Sequence, residues 1–116
     1  MIPFVENLAD FDRILSLQDN KLVVVEFTAR YYPNCQTIEP LYEALAEDPE
    51  NKDMIFLKVD VNNGDEVAEK CRIKALPTFQ FYIDEKKVDE FSGANGLRLR
   101  DKIERVREIY CSPFQI

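Results

Sequence analysis

A chain of 116 residues, 46% of them hydrophobic and only three of them glycine, suits one globular domain with one substantial core. Its 15 basic and 22 acidic residues leave a formal net charge of -7, which argues against nucleic-acid and anionic-membrane partners. Histidine is absent, which removes the usual base for a serine or cysteine nucleophile and the commonest metal ligand; hydrolytic triads and zinc sites are set aside, and no metal or cofactor is expected.

From Met1 to Asn7 there is neither a basic start nor an apolar run, and nowhere do about 18 apolar residues follow one another, so neither secretion nor a membrane span is expected. Asn7 can cap a first helix whose apolar positions Leu8, Phe11 and Leu15 recur at helical spacing and which ends near Asp19 and Asn20. The run Leu22-Val23-Val24-Val25-Glu26-Phe27 reads as a central strand covered on both faces, with Glu26 the one polar interruption. A second helix starts near Asn34 and carries Ile38, Leu41, Tyr42 and Leu45 on one face; Pro40 inside it is expected to bend it.

Met54 to Val59 forms a second buried strand, and Val67, Ala68 and Cys71 suggest a short helix between Gly64 and Arg72. Thr78 to Ile83 and Lys87 to Phe91 read as an antiparallel hairpin across the charged turn Asp84-Glu85-Lys86. Asn95 caps a last helix with Leu99, Ile103, Val106 and Tyr110 on its apolar face; Arg100, Asp101, Glu104, Arg105 and Glu108 form a solvated, charge-mixed face opposite. The expected fold is α/β, a central mixed sheet of four to five strands flanked by four helices, in a single domain over 1–110 with a short tail over 111–116.

KLVVVEFTA, the lone Cys35 at a helix start, ALPTFQFY and EFSGAN occur in the order and at the spacing of thioredoxin, and up to about Tyr110 the chain resembles that family. Thioredoxins carry Trp-Cys-Gly-Pro-Cys between this strand and helix; the matching residues here are Tyr31-Tyr32-Pro33-Asn34-Cys35. The resemblance therefore puts Tyr32 in the place of the first, attacking cysteine and Cys35 in the place of the resolving one. Dithiol exchange needs both thiols, and a phenol with a pKa near 10 cannot replace the attacking thiolate. Cys35 keeps its place at a helix N-terminus, where the dipole favours thiolate; burial would oppose that, and a packed, unreactive thiol stands as the plainer reading.

Glu26 matches the family's buried acid, which assists deprotonation of the resolving thiol. It stands either as a residual proton relay to Cys35 or as a structural acid, protonated or paired with Lys58 on the next strand. Leu76-Pro77-Thr78 matches the family's cis-proline loop, which offers backbone hydrogen bonds to an extended chain. Tyr31, Tyr32 and Pro33, with Asn34, Leu76 and Pro77, then form a candidate peptide-binding surface of a composition enriched at interfaces; alternatively Tyr31 only replaces the packing of the family's Trp and Tyr32 lies across a blocked site. Cys71 is expected to face the core, and Cys111, if exposed, could pair between molecules on oxidation.

These readings lead to an expectation of a thioredoxin-like protein without dithiol–disulfide oxidoreductase activity, acting as a protein-binding or assembly module through the former active-site surface. The alternative is a thiol–disulfide oxidoreductase that works by a single-thiol mechanism through Cys35, in deglutathionylation or disulfide exchange, with an external thiol doing the resolving. The expected partner is a protein or peptide, with the chain acting as a monomer or as part of a larger assembly. Three scattered cysteines make no disulfide framework, and a reducing compartment, the cytoplasm, is expected.

Overall fold

Asparagine caps and interrupted apolar runs set the element boundaries. In the computed structural model, which describes residues 2–111, Asn7 accepts the Asp10 N–H at 2.8 Å and opens α1, Leu8–Leu17. Asn95 does the same for Arg98 at 3.1 Å at the head of α4, Gly96–Tyr110; each cap satisfies an N–H that the helix cannot. Between them lie β1 (Val23–Thr28), α2 (Pro33–Glu47), a 3₁₀ turn (Pro49–Asn51), β2 (Ile55–Asp60), α3 (Asp65–Lys70), β3 (Thr78–Ile83) and β4 (Lys86–Ser92). The expected tail beyond Cys111 lies outside the described residues.

The four strands form one mixed sheet in the order β2-β1-β3-β4: β1 is parallel to β2 and antiparallel to β3, and β3 and β4 form the hairpin. The α/β expectation of four strands and four helices therefore holds. Phe4 makes an isolated parallel bridge to Lys58, with Val5 N–H donating to the Lys58 carbonyl at 2.8 Å, so the N-terminal segment runs along the outer edge of β2 without becoming a fifth strand. The hairpin turn is one residue shorter than expected: Ile83 pairs with Lys86, leaving Asp84 and Glu85 as a two-residue loop with φ of 49° and 69°, the two positive φ values that match the twist of the flanking strands.

Alternation along β1 divides its side chains between two cores. Val24 faces α2 and α4 with Ile38, Tyr42, Phe79, Phe81, Leu99 and Ile103. Val23, Val25 and Phe27 face α1 and α3 with Phe11, Leu15, Leu57 and Val67. Covering both faces explains why β1 reads as a continuous apolar run. Helix α2 passes through Pro40 without interruption, and the proline deprives the Gln36 carbonyl of its usual partner.

Candidate functional site

The C-terminal end of β1 leads through Ala29, Arg30 and Tyr31 to the N-terminus of α2, and this turn positions every sequence-predicted residue of the redox segment. Tyr32 is the N-cap residue in extended conformation, and its carbonyl accepts the backbone N–H of Cys35 at 2.9 Å and of Gln36 at 3.1 Å. Pro33 occupies the first helical position, where its missing N–H costs nothing. Cys35 is therefore in the first turn, in the positive field of the helix terminus, and is 2% exposed.

The candidate residues divide between two concavities. Cys35 lines a cavity of about 490 Å³ together with Thr28, Arg30, Glu39, Asp60 and Glu6. Tyr32 lies instead in a groove of about 320 Å³ with Val61, Ala68, Ile73 and Leu76. Tyr31 is 81% exposed, with the Arg30 guanidinium 5.7 Å from its ring centroid, and Tyr32 is 46% exposed. Tyr31 is thus an exposed ring at the head of α2. Pro33 and Asn34 are also exposed, whereas Leu76 is half-buried and Pro77 is buried, so Pro77 adds little side-chain surface to the expected peptide-binding patch.

The Leu76–Pro77 bond is cis. Its loop is tied down by Thr78 Oγ1 donating to the Ala75 carbonyl at 2.6 Å and by Gly93 N–H donating to the Pro77 carbonyl at 2.9 Å.

Between β1, β2 and α2 the pairing of charges differs from the expectation. Glu26 and Lys58 are opposite each other in the β1–β2 register, but Lys58 Nζ is bound by Glu39 and by Glu43, the latter at 2.6 Å. Neither Glu26 oxygen has a hydrogen-bond partner among the described residues. Burial first, and then the neighbouring Glu39 carboxylate, push the Glu26 carboxyl up to about 9 against the pull of Lys58; the acid is protonated at neutral pH. Burial works to lower the Lys58 ammonium, but its hydrogen bonds to the Glu39 and Glu43 carboxylates outweigh it and hold its pKa above the ordinary value. Glu39 and Glu43 went unrecognised in the sequence reading, although they follow Cys35 by four and eight residues and so fall on its side of α2.

Tyr42 completes this layer. It is wholly buried and its hydroxyl donates to the Leu57 carbonyl at 2.8 Å; burial and then the Glu26 carboxyl raise its pKa well above that of a free phenol. The other two thiols stand apart. Cys71, half-buried at the end of α3, lies 3.5 Å from the Tyr82 hydroxyl, and Cys111 is half-buried against the α4 core rather than exposed. Burial raises the pKa of both, so neither is an activated thiol. Among the described residues no group of three or more Cys, Asp or Glu side chains is disposed to hold a metal ion, and no helix is long and apolar enough to cross a membrane.

Comparison with known proteins gives this arrangement a context. Residues 3–105 match the family model described as Thioredoxin. The chain is 45% identical to a thioredoxin of Ictalurus punctatus over 89% of its own length and 96% of that protein's, and 41% identical to the human thioredoxin with the same coverage. Its fold superposes on the X-ray structure of Fasciola hepatica thioredoxin with a TM-score of 0.84 at 39% identity, covering 90% of this chain and 98% of the other. Such identity along nearly the whole chain to proteins named thioredoxin overturns the expectation of a binding or assembly module without redox chemistry. The physical reason that expectation failed is that it weighed the substituted positions Tyr31 to Asn34 above a sheet, a helix N-terminus and a cavity-lining thiol that are all in place.

Proposed function

Because the chain belongs to the thioredoxin family, we propose that it is a thiol–disulfide oxidoreductase working by a single-thiol mechanism through Cys35. The observation that carries this reading is the position of that thiol, in the first turn of α2 and on the wall of a cavity. Read against the family's motif, Tyr32 stands in the place of the attacking cysteine, so the chain has no second thiol there to complete a dithiol cycle. The substrate is then a mixed disulfide between a protein and a small thiol, and the resolving thiol comes from solution.

The Cys35 thiolate attacks one sulfur of the mixed disulfide; a Cys35–sulfur bond forms as the S–S bond breaks, and the protein thiol leaves as thiolate. A free small thiol, as its thiolate, then attacks the adduct, forming a small-molecule disulfide and returning Cys35 as thiolate. Cys35 reacts as the thiolate in both steps. Glu26, neutral at pH 7, acts as a structural acid in β1. The exposed Tyr31 and Tyr32, with Leu76, supply the surface on which the protein half of the substrate rests. A domain over 1–110 in the cytoplasm, where thiols stay reduced, suits this chemistry.

The reading is tested by following release of the protein thiol from its mixed disulfide in the presence of excess small thiol. Wild type, Cys71→Ser and Cys111→Ser should release it at equal rates, and Cys35→Ser should fall to the uncatalysed rate. Unchanged release by Cys35→Ser would overturn the assignment.

A further inference from the structure

The cavity that Cys35 lines is not electrically neutral. Glu6, Glu39 and Asp60 line it with one basic residue, Arg30. The Arg30 guanidinium is drawn toward the Tyr31 ring, and Glu39 is bound to Lys58. Glu6 and Asp60 remain, neither of them paired with a basic side chain among the described residues; the Asp60 carboxylate accepts the Asn62 N–H at 2.8 Å. Phe4 and Ala29 supply apolar wall beside them. A ligand that brings its sulfur to Cys35 therefore places the rest of its small half against a wall on which two unpaired carboxylates outnumber the single Arg30 guanidinium.

We infer that the small half of the disulfide entering this cavity carries an ammonium group and no carboxylate, the class formed by simple aminothiols. The inference rests on Cys35 as the reactive thiol and adds what that thiol selects. A cavity of about 490 Å³ admits a two-carbon aminothiol disulfide in full. Its ammonium is attracted by Glu6 and Asp60, whereas the two carboxylates of a glutathionyl group meet them as like charges. Selection is thereby exercised on the β2 side of Cys35, away from the Tyr32 and Leu76 groove.

The chemical step is unchanged: Cys35 thiolate attacks the aminothiol sulfur, the partner sulfur leaves as thiolate, and a second aminothiol thiolate displaces the adduct as a symmetrical disulfide.

The test exposes the reduced full chain separately to cystamine, to the neutral bis(2-hydroxyethyl) disulfide and to glutathione disulfide. Modification of Cys35 is followed by intact mass and peptide mapping, and each rate is divided by that of 2-mercaptoethanol with the same disulfide. One net negative charge at about 7 Å in a water-like medium favours the cationic over the neutral reagent by roughly threefold. The expected order is cystamine, neutral disulfide, glutathione disulfide. That preference should shrink at high salt and in the double variant Glu6→Gln with Asp60→Asn. Equal normalised rates, or glutathione disulfide in front, overturn the charge selection while leaving Cys35 as the reactive thiol. If Cys35 is modified by none of the three, the single-thiol reading falls and the selection falls with it.

Discussion

Glu26 and Lys58 stand opposite each other on β1 and β2, yet the Lys58 ammonium closes on Glu39 and Glu43 of α2 and leaves the Glu26 carboxyl without a partner. This displacement has a pH signature. The Glu26 carboxyl is raised from an ordinary 4.5 to about 9, so between those values the native chain holds a proton that the unfolded chain has lost. Its contribution to stability is fully present below pH 4.5 and declines as pH rises through the window, at up to about 1.4 kcal/mol per pH unit. Glu26→Gln removes that slope. Urea unfolding of both proteins at pH 5 and pH 8 should show the variant losing less stability than wild type over the interval; parallel losses would contradict the neutral buried acid.

Lys58 is the common counter-charge of the layer, and its removal strands several acids at once. Lys58→Met is expected to destabilise by roughly 2–3 kcal/mol. That is below the full cost for an enclosed pair because Glu39 and Glu43 keep part of their side-chain surface in water. Thermal unfolding at pH 7 measures it, and a loss within about 0.5 kcal/mol, typical of a surface ion pair, would show the network to be idle.

Tyr32→Cys places a thiol one turn before Cys35, at a residue whose carbonyl already accepts the Cys35 N–H at 2.9 Å. Cα atoms across such a turn fall within the range of about 4.4–6.8 Å that a disulfide spans. The variant should close an intramolecular disulfide on mild oxidation. Its turnover of insulin disulfides with dithiothreitol should exceed that of wild type by on the order of tenfold, because resolution becomes intramolecular. Free-thiol counts before and after oxidation, with the turbidity assay, check both; no change in either would mean that the turn does not hold the two positions in exchange geometry.

Tyr42→Phe removes a hydroxyl that donates to the Leu57 carbonyl at 2.8 Å in a wholly buried setting. The ring and its contacts with Phe56 and Phe79 remain. A loss of about 1 kcal/mol is expected in chemical denaturation, with Cys35 exchange rates unchanged. A neutral substitution would mean that water takes over the carbonyl.

Elements were legible where local chemistry decides. Asn7 and Asn95 announce helix starts because their side chains replace missing backbone partners. Leu99, Ile103 and Val106 announce the buried face of α4 by spacing alone. The run of valines in β1 announces a strand covered on both sides. Cys35 was recognisable as a helix-N-terminal thiol for the same local reason.

What the sequence by itself determined was thus which segments are helices and strands, that they assemble into a mixed α/β sheet, and that one cysteine opens α2. Tertiary structure alone decided the competition among Glu26, Glu39 and Glu43 for a single lysine, because the outcome depends on how α2 lies across β1 and β2. It likewise decided that Cys35 and Tyr32, three residues apart, open onto different concavities. Tyr32, the extended N-cap residue, stands outside the helical register that Cys35 follows, and which side meets a cavity is fixed by the distant residues that build its walls, here Glu6 and Asp60 for Cys35, Ile73 and Leu76 for Tyr32.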